Sequence, residues 1–207
     1  MNRLRRAWML YHLADPAFAF MYDAAPADEW VALDCETTGL DVRRDQIVSV
    51  GAVRIRGNRL LTSERLELLV RPQRAMHADS MRVHRLREAD VAQGIEPEVA
   101  MRRLLDFIGS RPLVGYYLEF DVAMVNREIW PMLGVRLPQR KIEVSAMYYD
   151  HKNRQLPAHE RGGTIDLRFA TMMGDLGLPL RDAHDALNDA VMAGLAFVKL
   201  RALAQAR

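Results

Sequence analysis

With 207 residues, half of them apolar and 27% charged, the chain is long enough to bury the core of one ordinary domain and too short to require a second. Its 29 basic and 27 acidic side chains nearly cancel to a formal +2, so overall charge does not select a polyanionic partner, and any such partner must be held by a local patch. The one cysteine, Cys35, excludes an internal disulfide framework and a cysteine-built zinc site, and points to a reducing, cytoplasmic setting.

The chain opens with Arg3, Arg5 and Arg6 ahead of Trp8, Met9 and Leu10, which superficially resembles the charged start of a secretory signal. His12, Asp15 and Pro16 interrupt it, and no stretch approaches the ~20 apolar residues a membrane span requires. Residues 1–28 are therefore read as an amphipathic helical extension, with no membrane partner, and residues 29–207 as the main domain. Trp8, Leu10, Tyr11, Phe18 and Phe20 are its candidate contacts, either for a homodimer or for docking on a larger assembly.

Trp30 to Leu33 is a short apolar run and Ile47 to Ile55 a longer β-branched one, which predicts two strands. Gly57-Asn58 supplies hairpin turn chemistry, so Arg59 to Val70 returns as a third. Arg71 to Arg87 is irregular and basic, and Pro97 to Ile108 has helical spacing with proline in its first turn. Leu113 to Tyr117 reads as a strand, Phe120 to Leu133 as a helix, and Ile142 with Val144 as a further strand. His151 to Gly163 reads as a polar loop. Thr164 is expected to cap a helix over Ile165 to Met173, closed by Gly177 and Pro179. A last helix is expected from about Asp185 to about Ala204. Strands alternating with helices after a hairpin predict an α/β layer architecture, in which ligands gather at the carboxyl ends of strands.

Three acidic segments carry the chemical signal. In Leu33-Asp34-Cys35-Glu36-Thr37-Thr38-Gly39-Leu40, two acids end an otherwise apolar strand. Residues two apart share a strand face, so Asp34 and Glu36 point together and Cys35 points away. Side-by-side carboxylates repel unless a cation lies between them. Phe120-Asp121 places an acid at a helix start, where the helix dipole alone also explains it. The run from Asp182 to Ala190 contains His184 at the mouth of the last helix and Asp189 inside it; Asp182 or Asp185 is equally explained as an N-cap. Oxygen ligands with one histidine and no thiolate suit Mg²⁺ or Mn²⁺, ions that commonly share their coordination with substrate phosphates.

Asp34-Cys35-Glu36-Thr37-Thr38-Gly39-Leu40 and His184 to Asp189, in that order, resemble the motifs of DnaQ-like exonucleases of the DEDDh type, the family of polymerase III epsilon-type proofreading subunits and ribonuclease T. The stretch Met81 to Leu86 is also similar to that family. The resemblance covers roughly Trp30 to Leu200. It implies a ribonuclease H-like fold, a mixed five-stranded sheet flanked by helices, and removal of nucleoside monophosphates from 3′ ends of single-stranded DNA or RNA, with DNA slightly favoured. It further implies that Asp34, Glu36, Asp121 and Asp189 bind two ions of Mg²⁺ or Mn²⁺ and that His184 is the general base, a role that suits an ordinary imidazole pKa near ~6.5. Thr37, Thr38 and Leu40 would receive the terminal nucleotide, and Tyr117 and Phe120 would stack on a base, for which core packing is the alternative. Arg71, Arg74, Arg82, Arg85 and Arg87 would contact phosphates, unless they form only a solvated face.

The sequence departs from the family where a His-Asn pair is usual and Tyr116-Tyr117 stands instead, and where Asp-Thr is frequent and Glu143-Val144 stands instead. The first change leaves open a weakly catalytic nucleic-acid-binding module or a polymerase-associated subunit as alternatives to a stand-alone exonuclease.

Overall fold

The computed structural model describes residues 3–73, 88–181 and 185–206. A five-stranded sheet forms the middle layer, built from β1 (Glu29–Thr37), β2 (Ile47–Arg56), β3 (Arg59–Leu69), β4 (Leu113–Gly115) and β5 (Lys141–Glu143), in the order β3-β2-β1-β4-β5. The β1–β2 and β2–β3 pairs are antiparallel, while β1–β4 and β4–β5 are parallel. The expected mixed sheet is thus present, with β1 at its centre.

Among the described residues seven α-helices accompany it: α1 (Arg3–His12), α2 (Glu88–Val91), α3 (Pro97–Ile108), α4 (Leu118–Leu133), α5 (Val144–Gln155), α6 (Phe169–Asp175) and α7 (Ala186–Gln205). The alternation of β1 decides which helices lie on which face. Val31, Leu33 and Cys35 point into one apolar cluster with Leu104, Leu105, Met124 and Val125 of α3 and α4. Ala32 points the other way, into a second cluster with Tyr148, Met172, Met192 and Phe197 of α5, α6 and α7. Burial of each such large side chain stabilises the fold by roughly 1.5–3 kcal/mol.

Asp34 and Glu36 continue the Ala32 face, and what brings α7 to them is a glycine. Gly51 of β2 pairs with Asp34, and a Cβ at Gly51 would lie 2.2 Å from the backbone of Ala186 and Leu187. Glycine in a strand interior marks such a close backbone approach. The first turn of α7 therefore rests directly on the sheet beside the two acids.

The N-terminal segment shares the first cluster. Phe18 is 4% exposed and Met21 2%, the Ala14 amide bonds to the Leu133 carbonyl at 2.9 Å, and Arg102 reaches Asp15 at 3.1 Å. This corrects the expected contact set of that segment: Phe18 is buried and Phe20 packs against the core, because the 3-10 helix Pro16–Tyr22 turns them inward, and Leu10 of α1 packs there too. Trp8 and Tyr11 remain exposed.

Two local expectations are also corrected. Residues 144–155 form α5, which lacks a clear helical pattern because only Val144 and Tyr148 are fully buried. Residues 164–168 are not helical. Asp166 accepts from the Arg168 amide and from Thr171 Oγ1, which delays the helix to Phe169, while Ile165 and Leu167 alternate inward against the second cluster. No helix among the described residues is long and apolar enough to cross a membrane.

Candidate active site

Three elements converge at the carboxyl end of β1. Asp34 and Glu36 come from the strand, Asp121 from the first turn of α4, and Asp189 from the first turn of α7. Asp185 is the N-cap of α7, its carboxylate accepting from the Asn188 amide at 2.8 Å. Of the acids expected to act together, Asp34, Glu36 and Asp189 each offer a carboxylate oxygen, and these atoms lie within 4.8 Å of one another. Asp121 stands beside this trio rather than in it. It is 4% exposed, and its Oδ1 accepts from the amide of Cys35 at 3.2 Å, so it is tied to the β1 backbone between the two strand acids.

The electrostatics follow from that crowding. Burial, followed by the negative charges of Asp121, Asp189 and Glu36, holds the Asp34 carboxyl well above the usual range. Asp121 is likewise raised, chiefly by burial, although the Cys35 amide pulls it back. Glu36 is pushed up to about 7 by burial and then by Asp189 and Asp185. Among the described residues no cation stands in the causes that set these three carboxyls, so like charge is crowded there in the metal-free protein. Oxygen donors at this spacing fit a small, hard divalent cation. Cys35 points to the opposite face, leaving an all-oxygen donor set among the described residues.

A stability consequence can be measured. Glu36 favours the protonated folded state, so its contribution is present below about pH 4.5 and lost as pH rises through about 7. In chelator, denaturant unfolding between pH 5 and pH 8 is expected to show stability falling by on the order of 3 kcal/mol from this group. Saturating Mg²⁺ should remove most of that fall, because the cation compensates the ionised cluster. A metal-free stability independent of pH over this interval would contradict the crowding.

The acids floor a cleft of about 720 Å³ whose walls include Leu40, Tyr116, Tyr117, Phe120 and Phe169. Leu40 is 85% and Tyr117 72% exposed, so both present apolar surface at the rim. Phe120 both lines the cleft and packs on the core. Tyr116 donates to the Leu167 carbonyl at 3.0 Å and stacks against Phe169 at 4.6 Å, which makes it a wall rather than a mobile contact. Tyr117 adopts φ 55°, a left-handed conformation costing a non-glycine residue about 1–2 kcal/mol.

Thr37 also lines the cleft, its hydroxyl donating to the Gly39 carbonyl at 2.6 Å. Thr38 follows it in the chain. Its side chain is buried, donates to Asp45 Oδ1 at 2.9 Å and accepts from the Gln46 amide at 3.0 Å, so it shapes the β1–β2 loop instead of presenting a hydroxyl to the cleft. Arg71 pairs with Glu96 at 2.8 Å on the surface. His184, Asp182 and the basic residues Arg74, Arg82, Arg85 and Arg87, together with the whole Met81–Leu86 stretch, lie outside the described residues.

Three positioning residues were not evident from sequence. Gly51 admits α7, and its place inside a β-branched strand was the available signal. Glu143 accepts from the Tyr117 and Leu118 amides at 3.2 and 3.0 Å, and from Ser145. It thereby ties β5 to the start of the helix that carries Asp121, the location of the Glu143-Val144 departure. Arg127 of α4 donates to the carbonyls of Val42 and Asp45, holding the loop that bears Leu40. Neither of these two carried a local sequence signal, since both act across the chain.

The profile of the exonuclease family matches residues 31–197, from the third residue of β1 to Phe197 of α7. The chain belongs to the exonuclease family. This exonuclease-family chain is 29% identical over 182 residues to a DNA polymerase III subunit epsilon-like protein of Rhodobacter capsulatus, covering 86% of this chain and 24% of that protein. It is 21% identical over 171 residues to the DNA polymerase III subunit epsilon of Aquifex aeolicus, covering 83% and 79%. Escherichia coli exonuclease I in its zinc-bound complex with single-stranded DNA superposes with a TM-score of 0.71 at 15% identity, covering 88% of this chain and 42% of that one; at such identity the likeness is one of fold. The chain therefore spans about a quarter of the Rhodobacter relative and less than half of exonuclease I. The expected family and its ribonuclease H-like fold are both present, and the acidic cluster has the composition and spacing of a site able to hold metal.

Proposed function

We propose that the chain hydrolyses the terminal phosphodiester bond at 3′ ends of single-stranded nucleic acid, DNA slightly ahead of RNA, and releases nucleoside monophosphates. The observation that carries this reading is the convergence of Asp34, Glu36 and Asp189 within 4.8 Å on the floor of an aromatic-walled cleft. Polarity and substrate are inferred from relatives named as polymerase epsilon subunits and from a neighbour solved with single-stranded DNA.

Asp34, Glu36 and Asp189 would hold one ion, and Asp34 with Asp121 a second, Mg²⁺ or Mn²⁺ in each case. Such ions, when bound, lower the pKa of a water and offset charge on the phosphoryl group. His184 accepts the proton of the attacking water as general base. Tyr117 and Phe120 stack on the terminal base and Leu40 packs against it, contacts that tolerate any base because every base has an apolar face. Thr37 borders the terminal sugar.

Paired DNA and RNA oligomers of one sequence, 5′-labelled and incubated with Mg²⁺, Mn²⁺ or chelator, test the reading. A ladder shortening one nucleotide at a time from the 3′ end, absent in chelator, is expected for both, with DNA the faster. Endonucleolytic bands, or hydrolysis that persists in chelator, would refute it.

A further inference from the structure

Next to the cleft along α4, where Glu119 and Val122 flank the cleft residues Phe120 and Asp121, lies a groove that the mechanism does not use. A hollow of about 520 Å³ is lined by Val42 and Arg43 of the β1–β2 loop and by Glu119, Asn126 and Trp130 of α4. Leu40 and Phe120, which line the cleft, neighbour this set along the chain. A second hollow of about 750 Å³ shares Val122, Asn126, Trp130, Arg136 and Lys141 with the first and adds Trp8, Met9 and Arg140. The two are therefore one groove, running along α4 from the residues that flank the cleft to α1.

Its chemistry is basic and aromatic. Arg43, Arg136, Arg140 and Lys141 are exposed. The carboxylate lining it is Glu119, which is already paired with Lys141 at 2.6 Å. Arg43, Arg136 and Arg140 form no ion pair among the described residues. Trp8 and Trp130 are 60% and 53% exposed and face the same hollow. Open indole rings interleaved with unpaired guanidinium groups are the surface that binds a single nucleic-acid strand, rings stacking on bases and cations following phosphates.

We propose that this groove holds the single-stranded segment 5′ of the scissile end, a proposal that rests on the hydrolytic reading above. Asp121 and Trp130 are nine helical residues apart, about 14 Å along α4. At roughly 3.4 Å per stacked nucleotide, Trp130 meets the strand about four nucleotides from its end. Chain-length dependence follows: a trinucleotide fills the cleft, and a dodecamer also fills the groove.

The test uses fluorescein-labelled dT3 and dT12, measured by anisotropy in chelator and by hydrolysis in Mn²⁺, for the unmodified protein, Trp130→Ala and the pair Arg136→Ser/Arg140→Ser. All three positions of change are on the surface, and thermal unfolding checks that each variant folds. The unmodified protein is expected to bind dT12 at least tenfold more tightly than dT3. Both variants should lose most of that advantage, with the loss falling on dT12 and not on dT3. The arginine pair should also make the logarithmic salt dependence of dT12 binding shallower by roughly 1.4. Equal binding of dT3 and dT12, or variants that bind dT12 as the unmodified protein does, would overturn the proposal. So would a Trp130→Ala protein whose dT12 binding is intact while its sedimentation changes, which would make the groove an interface between copies. If neither oligomer is hydrolysed but dT12 binds through the groove, the hydrolytic reading falls and the groove stands. If both are hydrolysed and the variants are indifferent, only the groove falls.

Discussion

Replacing Asp34 by Asn is expected to lower hydrolysis of a single-stranded oligonucleotide by roughly a thousand-fold or more, and to raise the stability of the metal-free protein. The two effects come from one feature. Asp34 is the acid most crowded by its neighbours, with Asp121, Asp189, Glu36 and Asp185 all opposing its ionisation after burial has done so. A ligand shared by two cations supplies several kcal/mol of charge stabilisation, and each ~1.4 kcal/mol lost is about tenfold in rate. Without metal, the same carboxylate is a buried charge among like charges, and its removal should stabilise the fold by about 1–3 kcal/mol above pH 7. Initial rates in Mn²⁺ and denaturant unfolding in chelator measure both. A variant that is inactive and also less stable in chelator would mean that Asp34 supports the fold instead of straining it.

The second large effect is expected at Gly51, which touches no substrate. An alanine there would set its Cβ 2.2 Å from the carbon of Ala186 and the nitrogen of Leu187, and 2.3 Å from the Ala186 oxygen, against an ordinary contact of about 3.5–4.0 Å. These neighbours are backbone atoms, so no side chain can swing away. The start of α7 must move by more than an ångström, carrying the Asp185 cap and, three residues beyond Ala186, Asp189. Overpacking of this kind costs roughly 3 kcal/mol, and a displacement of that size at a catalytic group costs about a hundred-fold in rate. Gly57→Ala is the useful comparison. Its Cβ would meet nothing, and only the positive φ of 58° opposes it, so it should cost about 1 kcal/mol and leave the rate unchanged. Equal behaviour of the two variants, in rate and in unfolding, would contradict the role assigned to Gly51.

Much of the site was legible because its first part is a periodicity. Asp34 and Glu36 break an apolar strand at alternate positions, and strand geometry then demands that both face one way. Asp189 sits in a helix whose register was clear from its apolar run. Asp121 was legible only as an acid at a helix start, and its bond to the Cys35 amide, formed across 86 residues, has no local signal. Glu143 and Arg127 escaped for the same reason, since each acts on a segment distant in the chain, while Gly51 offered only its place inside a β-branched strand. The missed helix α5 and the displaced start of α6 have a different cause. Val144 and Tyr148 give too few buried positions to set a helical period, and Asp166 holds its own neighbours in a local turn that competes with helix. The hydrogen bonding of the Thr38 side chain was equally out of reach, because it depends on Asp45 lying opposite its hydroxyl.

The central claim is that acids from one strand and two helices form a cage for divalent cations, and diffraction from crystals soaked in Mn²⁺ tests it most directly. The expected result is anomalous density within about 2.0–2.2 Å of carboxylate oxygens of Asp34, Glu36 and Asp189, with a second peak shared by Asp34 and Asp121. Manganese found only on the outer surface, with the four carboxylates bare and apart, would contradict it.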